Sequence, residues 1–409
     1  MDGSVVRSYV RKNALILSGG GARGAYEVGV LWYIFDEFAR ARGGVPSIQV
    51  LSGTSVGALN ACYLASHLSD PMLGMRHLVD LWSELEAPRV LGFGPKQLLR
   101  LPKMLFGGAE GTGFFDARPL SHLVENEVSW RAVSHALESG RLDALSVSTT
   151  EVSTGRTVVF IQTAPDLEVT RNPPPRTLFR SDRIGPLHAL ASGAIPIIFP
   201  PIRIDGTLYL DGGLRQNTPV APALRLGATH VLAIGGSRDV RGVVAEEGPS
   251  APQRAPGAAF LLGKILNAFL LDHFDADIEL LARLNNVIAD GTRAFGESFT
   301  EKLSVAAAMR GAPAYHYVKC LTIRPSEDIG RLASEYVQKG AFKGDSRLGS
   351  HFFSLLDFGI STEADLASYL LFDGGFARRL IEMGRSDAHA RRSELSDFFG
   401  EEVAVGRQG

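Results

Sequence analysis

Short apolar runs punctuated by glycine open the chain. Ala14 to Leu17 is an unbroken apolar stretch that stops at Ser18 and three glycines, after which Val28, Leu31, Trp32, Phe35 and Phe38 recur at helical spacing over Gly24 to Arg40. This predicts strand, tight loop, helix. Ile48 to Leu51 predicts a second strand broken by Ser52-Gly53-Thr54-Ser55, and the Ala- and Leu-rich Val56 to Leu68 a second helix. Two such units in succession indicate an α/β fold with a parallel sheet. Further strands are expected at Leu145 to Thr150, Thr157 to Gln162 and Val231 to Ile234, with a Pro-rich loop at Asn172 to Pro175, a helical turn near Leu187 to Ser192 and a hairpin within Ile195 to Asp211. Ser237 to Gly257, rich in Gly, Pro, Arg and Glu, reads as a mobile loop or linker. Beyond it Phe260, Leu261, Ile265, Phe269, Ile278, Leu281, Leu284 and Ile288 fit one or two amphipathic helices, and the remainder to about Arg392 reads as mixed and mainly helical. The expected division is residues 1–240, a linker at 241–257, a mainly helical C-terminal region of open role at 258–395, and a frayed tail at 396–409.

Composition narrows the function classes. The 409 residues are 45% hydrophobic and 21% charged, enough chain for two to three domains and a full core. Lys plus Arg is 42 against 44 for Asp plus Glu, a net charge of -2, which disfavours a nucleic-acid partner. No stretch reaches the ~18 uncharged apolar residues that cross a bilayer. Arg11 and Lys12 precede an apolar run, but the run ends after Leu17, so a buried strand is expected in place of a signal peptide. Cys62 and Cys320 stand far apart, which argues against a disulfide framework or a thiolate metal site. The histidines form no H-x-x-x-H or H-E-x-x-H pair, so neither metal nor cofactor is expected, and the cytoplasm is the expected compartment.

Three motifs carry chemistry. Gly19-Gly20-Gly21-Ala22-Arg23-Gly24 lies between a predicted strand and helix, where backbone N–H groups and a helix N-terminus converge on an anion. It also satisfies G-x-G-x-x-G, but the acidic residue a dinucleotide needs at the end of the second strand is missing there, and Gly24 is followed by Ala25 where a P-loop has lysine. A tight structural turn is the other reading. Gly53-Thr54-Ser55-Val56-Gly57 is a G-x-S-x-G pentapeptide between strand and helix, the setting in which a serine on a sharp turn becomes an exposed nucleophile. Asp211-Gly212-Gly213 ends a predicted strand and precedes Asn217-Thr218-Pro219, so Asp211 is a candidate proton acceptor. The same tripeptide at Asp373-Gly374-Gly375 shows how readily it arises as an ordinary turn.

In this order and context the three motifs make the chain resemble the patatin-like phospholipases. Ala191-Ser192-Gly193-Ala194-Ile195-Pro196, with Phe199-Pro200-Pro201, resembles that family's stretch before its aspartate, and the likeness covers roughly Asn13 to Gly236. The resemblance implies a three-layer α/β/α fold with a central, mainly parallel sheet, here carrying a mainly helical C-terminal extension. It implies an acyl hydrolase without catalytic histidine or metal: Ser55 as nucleophile on an elbow flanked by Gly53 and Gly57, Asp211 as base supported by Gly212 and Gly213. It further implies an oxyanion hole from Gly19, Gly20 and Gly21 with Arg23 and Gly24 completing the loop.

The substrates so implied are phospholipids or other acyl-lipid esters. A general carboxylesterase or thioesterase acting on soluble acyl esters, or a catalytically silent lipid-binding protein, are the competing readings. A Ser-His-Asp triad through His230 is a further rival, disfavoured because His230 enters a predicted strand. Leu98, Leu99, Leu101, Met104, Leu105 and Phe106 beside Lys96, Arg100 and Lys103 make residues 90–113 a candidate peripheral membrane contact, a lid over the cleft, or a plain surface helix. The helices at Phe260 to Ile288 are open to three roles: acyl-chain pocket, dimer interface or partner site.

Overall fold

The computed structural model describes residues 10–92, 115–167, 175–238, 272–339 and 365–400. Most of the basic and apolar stretch at 90–113, residues 172–174 of the Pro-rich loop, the linker at 241–257, Phe260 to Phe269 and the last nine residues of the tail lie outside them.

Among the described residues nine strands form one sheet: β1 Asn13–Leu17, β2 Val50–Thr54, β3 Ala144–Glu151, β4 Thr157–Thr163, β5 Thr177–Ser181, β6 Ile202–Ile204, β7 Thr207–Asp211, β8 His230–Ile234 and β9 Lys319–Ile323. The main order is β5-β4-β3-β2-β1-β8-β9, with β6 and β7 as a side hairpin reached through β3. From β3 through β2, β1 and β8 to β9 all pairings are parallel, while β4 and β7 meet β3 antiparallel. β1 is the point where the chain, having laid strands on one side, later returns to lay β8 and β9 on the other. In open α/β sheets the crevice past the carboxyl ends at such a point holds the ligand.

Period-two alternation divides the sheet's side chains between two cores. Leu15, Leu17, Leu51, Leu145, Val147, Leu232, Ile234, Leu321 and Ile323 enter the larger core, beneath helices Gly24–Trp32, Val56–Ser66 and Gly374–Ala390. Ala14, Ile16, Val50, Val231 and Ala233 enter the other, against helices Val220–Arg225 and Asp272–Phe295. Both faces are covered, which is why these parallel strands read as apolar runs without alternation. The result is a three-layer α/β/α fold whose C-terminal part is mainly helical but supplies β9 to the same sheet.

Local reasoning located most elements and misjudged some extents. β2 runs through Ser52 and Gly53 to Thr54, past the expected break, because Ser52 is buried with its hydroxyl near hydrogen-bonding partners Ser146 Oγ and Pro219 O, the second at 3.2 Å. The predicted helix Gly24 to Arg40 widens into a π turn at Tyr33–Phe38 and ends where Gly43 takes φ 81°. β5 and β9 were not foreseen, since Thr177–Ser181 and Lys319–Ile323 carry polar residues within five-residue runs.

Helix Gly374–Ala390 lies unusually close to Gly24–Trp32. A Cβ on Gly29 would stand 2.0 Å from Ile381 O, and one on Gly384 would stand 2.2 Å from Tyr26 O, so each helix offers a glycine to the other's backbone. We expect Gly29→Ala and Gly384→Ala each to destabilise the protein by about 1–3 kcal/mol through overpacking, read as a lowered urea midpoint. An unchanged midpoint in both would contradict this packing.

Candidate active site

The loops after β1 and β2, and the end of β7, meet at the carboxyl end of the sheet. Ser55 leaves β2 with φ 55° and ψ -130° and caps helix Val56–Ser66, a backbone that costs a non-glycine residue about 1–3 kcal/mol. Close packing enforces it. A Cβ on Gly57 would stand 2.3 Å from Leu17 O, and one on Gly53 would stand 2.5 Å from Ala58 Cα, so the glycines on either side of Ser55 let the turn press against β1 and its own helix. The Ser55 N–H donates to Ser192 Oγ at 2.9 Å, and Ser192 Oγ in turn donates to Ser148 O at 2.7 Å. Ser192, on helix Pro186–Ser192, therefore holds the elbow by its backbone.

Asp211 ends β7 and is fully buried. Its N–H donates to Ala194 O at 3.0 Å, its carbonyl accepts from Thr150 Oγ1 at 2.9 Å, and its Oδ1 accepts from Gly213 N–H at 2.7 Å. Oδ2 is buried without a partner in hydrogen-bonding geometry, yet the Ser55 hydroxyl is near enough to pull the carboxyl's pKa down. Burial outweighs that pull and the Gly213 bond, lifting the pKa from 3.8 to about 7. A vacant lone pair facing a serine hydroxyl is the arrangement a proton acceptor needs, and such contacts are often loose before substrate binds. Gly212 packs beneath, where a Cβ would stand 2.3 Å from Ser148 O.

The glycine loop is held from both sides. Gly19 N–H donates to Asn217 Oδ1 at 3.0 Å, and Asn217 Nδ2 donates back to Gly19 O at 3.3 Å, so this N–H is already engaged. Gly21 takes φ 56°, where a side chain would be strained and a Cβ would stand 2.4 Å from Tyr369 O. Arg23 is buried and turned toward the C-terminal segment: its Nε donates to Ser368 Oγ at 2.8 Å, its NH1 donates to Gly236 O at 3.3 Å, and its guanidinium lies 4.5 Å from the Tyr369 ring centre. Gly24 starts the following helix against Val56.

An apolar cavity begins at Ser55 and Gly21. Its volume is about 90 Å³, and it is walled by Leu59 and Tyr63 of the Ser55 helix, Leu78 and Trp82, Leu120 and Val124, with Phe199 and Phe372. Helix Asp272–Phe295, one of the segments considered for an acyl pocket, instead packs its Phe274 and Leu281 on the opposite face of the sheet. His230 stands level with the start of β1, at the far edge of the sheet from Ser55, with its ring against Phe398. Asp373, the aspartate of the second Asp-Gly-Gly, caps helix Gly374–Ala390 and accepts from Tyr336 Oη at 2.6 Å. Among the described residues no cluster of three metal-ligating side chains occurs, and no helix is long and apolar enough to cross a membrane. Ser192 and Asn217 escaped sequence reasoning as site residues; each sits beside a motif, but a lone Ser or Asn carries no pattern.

The chain belongs to the patatin-like phospholipase family, whose sequence profile matches residues 15–224. Patatin-like phospholipase domain-containing protein 7 of Rattus norvegicus and that of Mus musculus are each 28% identical over 229 residues, spanning 55% of this chain and 14% of theirs. The chain thus matches a small part of these relatives' length. Human GIVD cytosolic phospholipase A2 in complex with methyl gamma-linolenyl fluorophosphonate overlaps with a TM-score of 0.41 at 13% identity, covering 98% of this chain and 60% of that one. VipD from Legionella pneumophila gives 0.30 at 12% identity, covering 92% and 91%.

The raised Asp211 pKa has a stability consequence. An unfolded Asp211 releases its proton near pH 3.8, while the folded one keeps it to about 7, so this group's contribution to stability falls as pH rises between those values and stays lost above them. Asp211→Asn is therefore expected to raise the unfolding free energy at pH 8 by on the order of 2–4 kcal/mol, read as a higher urea midpoint, with the gain shrinking toward pH 4. A gain independent of pH would contradict the assignment.

Proposed function

We propose that the protein hydrolyses carboxylic ester bonds of phospholipids or related acyl lipids, with Ser55 as nucleophile and Asp211 as base. One observation carries the reading: a serine on a strained strand-to-helix turn faces a buried, half-partnered carboxyl at the head of an apolar cavity. The ionised Asp211 takes the hydroxyl proton as Ser55 Oγ attacks the carbonyl carbon, and the carbonyl electron pair moves onto its oxygen. The backbone N–H groups of Gly20 and Gly21 receive that oxyanion, while Gly19, Arg23 and Gly24 hold the loop's shape through the contacts described above. Collapse breaks the ester bond, the leaving alkoxide takes the proton from Asp211, and the acyl group stays on Ser55. Water then attacks the acyl carbonyl carbon with Asp211 again accepting a proton, the Ser55 Oγ–acyl bond breaks as Asp211 returns that proton to Oγ, and fatty acid leaves.

Cavity chemistry favours an acyl chain over a polar substrate, because its walls are mainly Leu, Val, Phe and Trp. Contact with an anionic bilayer through residues 90–113 belongs to the same reading, since Val90 at the start of that stretch lines the cavity. We retain the cytoplasm as compartment, on two cysteines that form no bridge.

The test compares wild type, Ser55→Ala and Asp211→Asn for fatty-acid release from mixed phospholipid vesicles and for cleavage of a soluble short-chain ester. Wild type is expected to act on both, with each variant losing about a thousandfold or more. Because Asp211 must be ionised to accept a proton, wild-type kcat/KM should climb as pH rises through about 7. Cleavage of the soluble ester alone would favour the general esterase reading, and inertness on both the lipid-binding one.

A further inference from the structure

Glu27 is a buried acid that the reaction just described does not use. It lies in helix Gly24–Trp32, one turn past the glycine loop, and is only 2% exposed. Asn60 Nδ2 donates to its Oε2 at 2.9 Å, and the Ser18 backbone N–H is near enough to pull the carboxyl's pKa down. The same Asn60 Nδ2 reaches Gly24 O at 3.3 Å, and Asn60 lines the cavity five residues along the helix from Ser55. Ser18 precedes the loop and Gly24 ends it, so one carboxyl–amide pair spans the loop's two ends and fastens them to the helix that Ser55 caps.

Resting on the reading of Ser55 as nucleophile, we propose that Glu27 is a positioning residue for the reaction: through Asn60, and beside Ser18, its carboxyl sets the glycine loop against the Ser55 helix. Burial pushes the carboxyl's pKa from 4.5 up to about 8, against the opposing pull of Asn60 and Ser18. Among the described residues no cation acts on it. The helix packs on Gly374–Ala390, Pro71–Ser83, Val56–Ser66 and the turn Gly21–Arg23. On these elements Arg385 pairs with Glu37 and Glu382, Arg378 with Ser83 O and Arg76 with Asp36, Arg379 stacks on Tyr336, Asp387 accepts from Tyr26, and Arg23 donates to Ser368. From the Ser55 helix Cys62 and Tyr63 face inward, both pushed up to about 12 and so uncharged at neutral pH. When Glu27 ionises, a negative charge appears in the buried layer one helical turn past the glycine loop, and it opposes the charge that an oxyanion on that loop would carry. Activity therefore falls as pH rises through about 8, on the alkaline side of the Asp211 limb.

The full chain is assayed for kcat and KM on p-nitrophenyl butyrate from pH 6 to 10, as wild type, Glu27→Gln, Asn60→Ala and Ser55→Ala, with thermal melts of each. We expect wild-type kcat to fall about tenfold or more between pH 7 and 9.5, while Glu27→Gln, which cannot ionise, stays within about threefold of its pH 7 value. Asn60→Ala removes a bond that favours the ionised carboxyl, so its alkaline fall should move to higher pH, with kcat lowered and KM little changed. A folded Glu27→Gln that keeps the wild-type alkaline fall overturns the proposal. If Glu27→Gln does not fold, an Asn60→Ala profile that falls at the wild-type pH overturns it instead. Ester cleavage that survives Ser55→Ala rejects the nucleophile reading, and the proposal with it, whatever the pH profiles.

Discussion

The structure turns on the close approach of backbone to backbone at Ser55. Gly57 presses on the Leu17 and Ser18 carbonyls, Gly53 on Ala58, and Ser192 takes up the Ser55 N–H, so the serine has no room for a relaxed conformation. A strained residue persists only where its surroundings over-determine it. Here β1, β2, β3 and helix Pro186–Ser192 supply that constraint together. The sheet's two buried faces make these elements rigid, and the hydroxyl is thereby set at one point between the glycine loop, Asp211 and the cavity.

Two buried acids flank this point with opposite requirements. In the proposed reaction Asp211 has to lose its proton to act, and burial delays that loss to about pH 7; under the further proposal Glu27 has to keep its proton, and burial preserves it to about pH 8. Neither carboxyl meets a cation among the charged groups around it, so desolvation sets both values. The C-terminal segment takes part as well. Ser368 and Tyr369 hold Arg23, Tyr369 O backs Gly21, and Phe372 walls the cavity, which ties the glycine loop to residues far along the chain.

What the sequence disclosed and what it withheld follow from the same physics. β1, β8 and the Ser55 elbow were legible because burial on two faces demands unbroken apolar runs and close backbone approach demands glycine at fixed positions. Asp211 and Asp373 share a tripeptide, and only the fold separates them: one stands at a strand end beside Ser55, the other caps a helix and binds Tyr336. Ser192, Asn217, Asn60 and Glu27 were not legible as parts of the site, since single polar residues acquire meaning only from partners distant in sequence. The cavity was hidden for a related reason. Its walls come from Leu59, Leu78, Leu120, Phe199 and Phe372, five separate segments in which each residue reads simply as core.

In the proposed reaction this junction makes Ser55 the nucleophile. The most direct measurement is to treat the 409-residue chain at pH 8 with an alkyl fluorophosphonate and locate the adduct by peptide mass spectrometry. The account predicts one phosphonyl group per chain, on the peptide containing Ser55, with labelling slowed sharply in Asp211→Asn because the hydroxyl has lost its proton acceptor. An unlabelled Ser55 in folded protein, or an adduct on another residue, would contradict it.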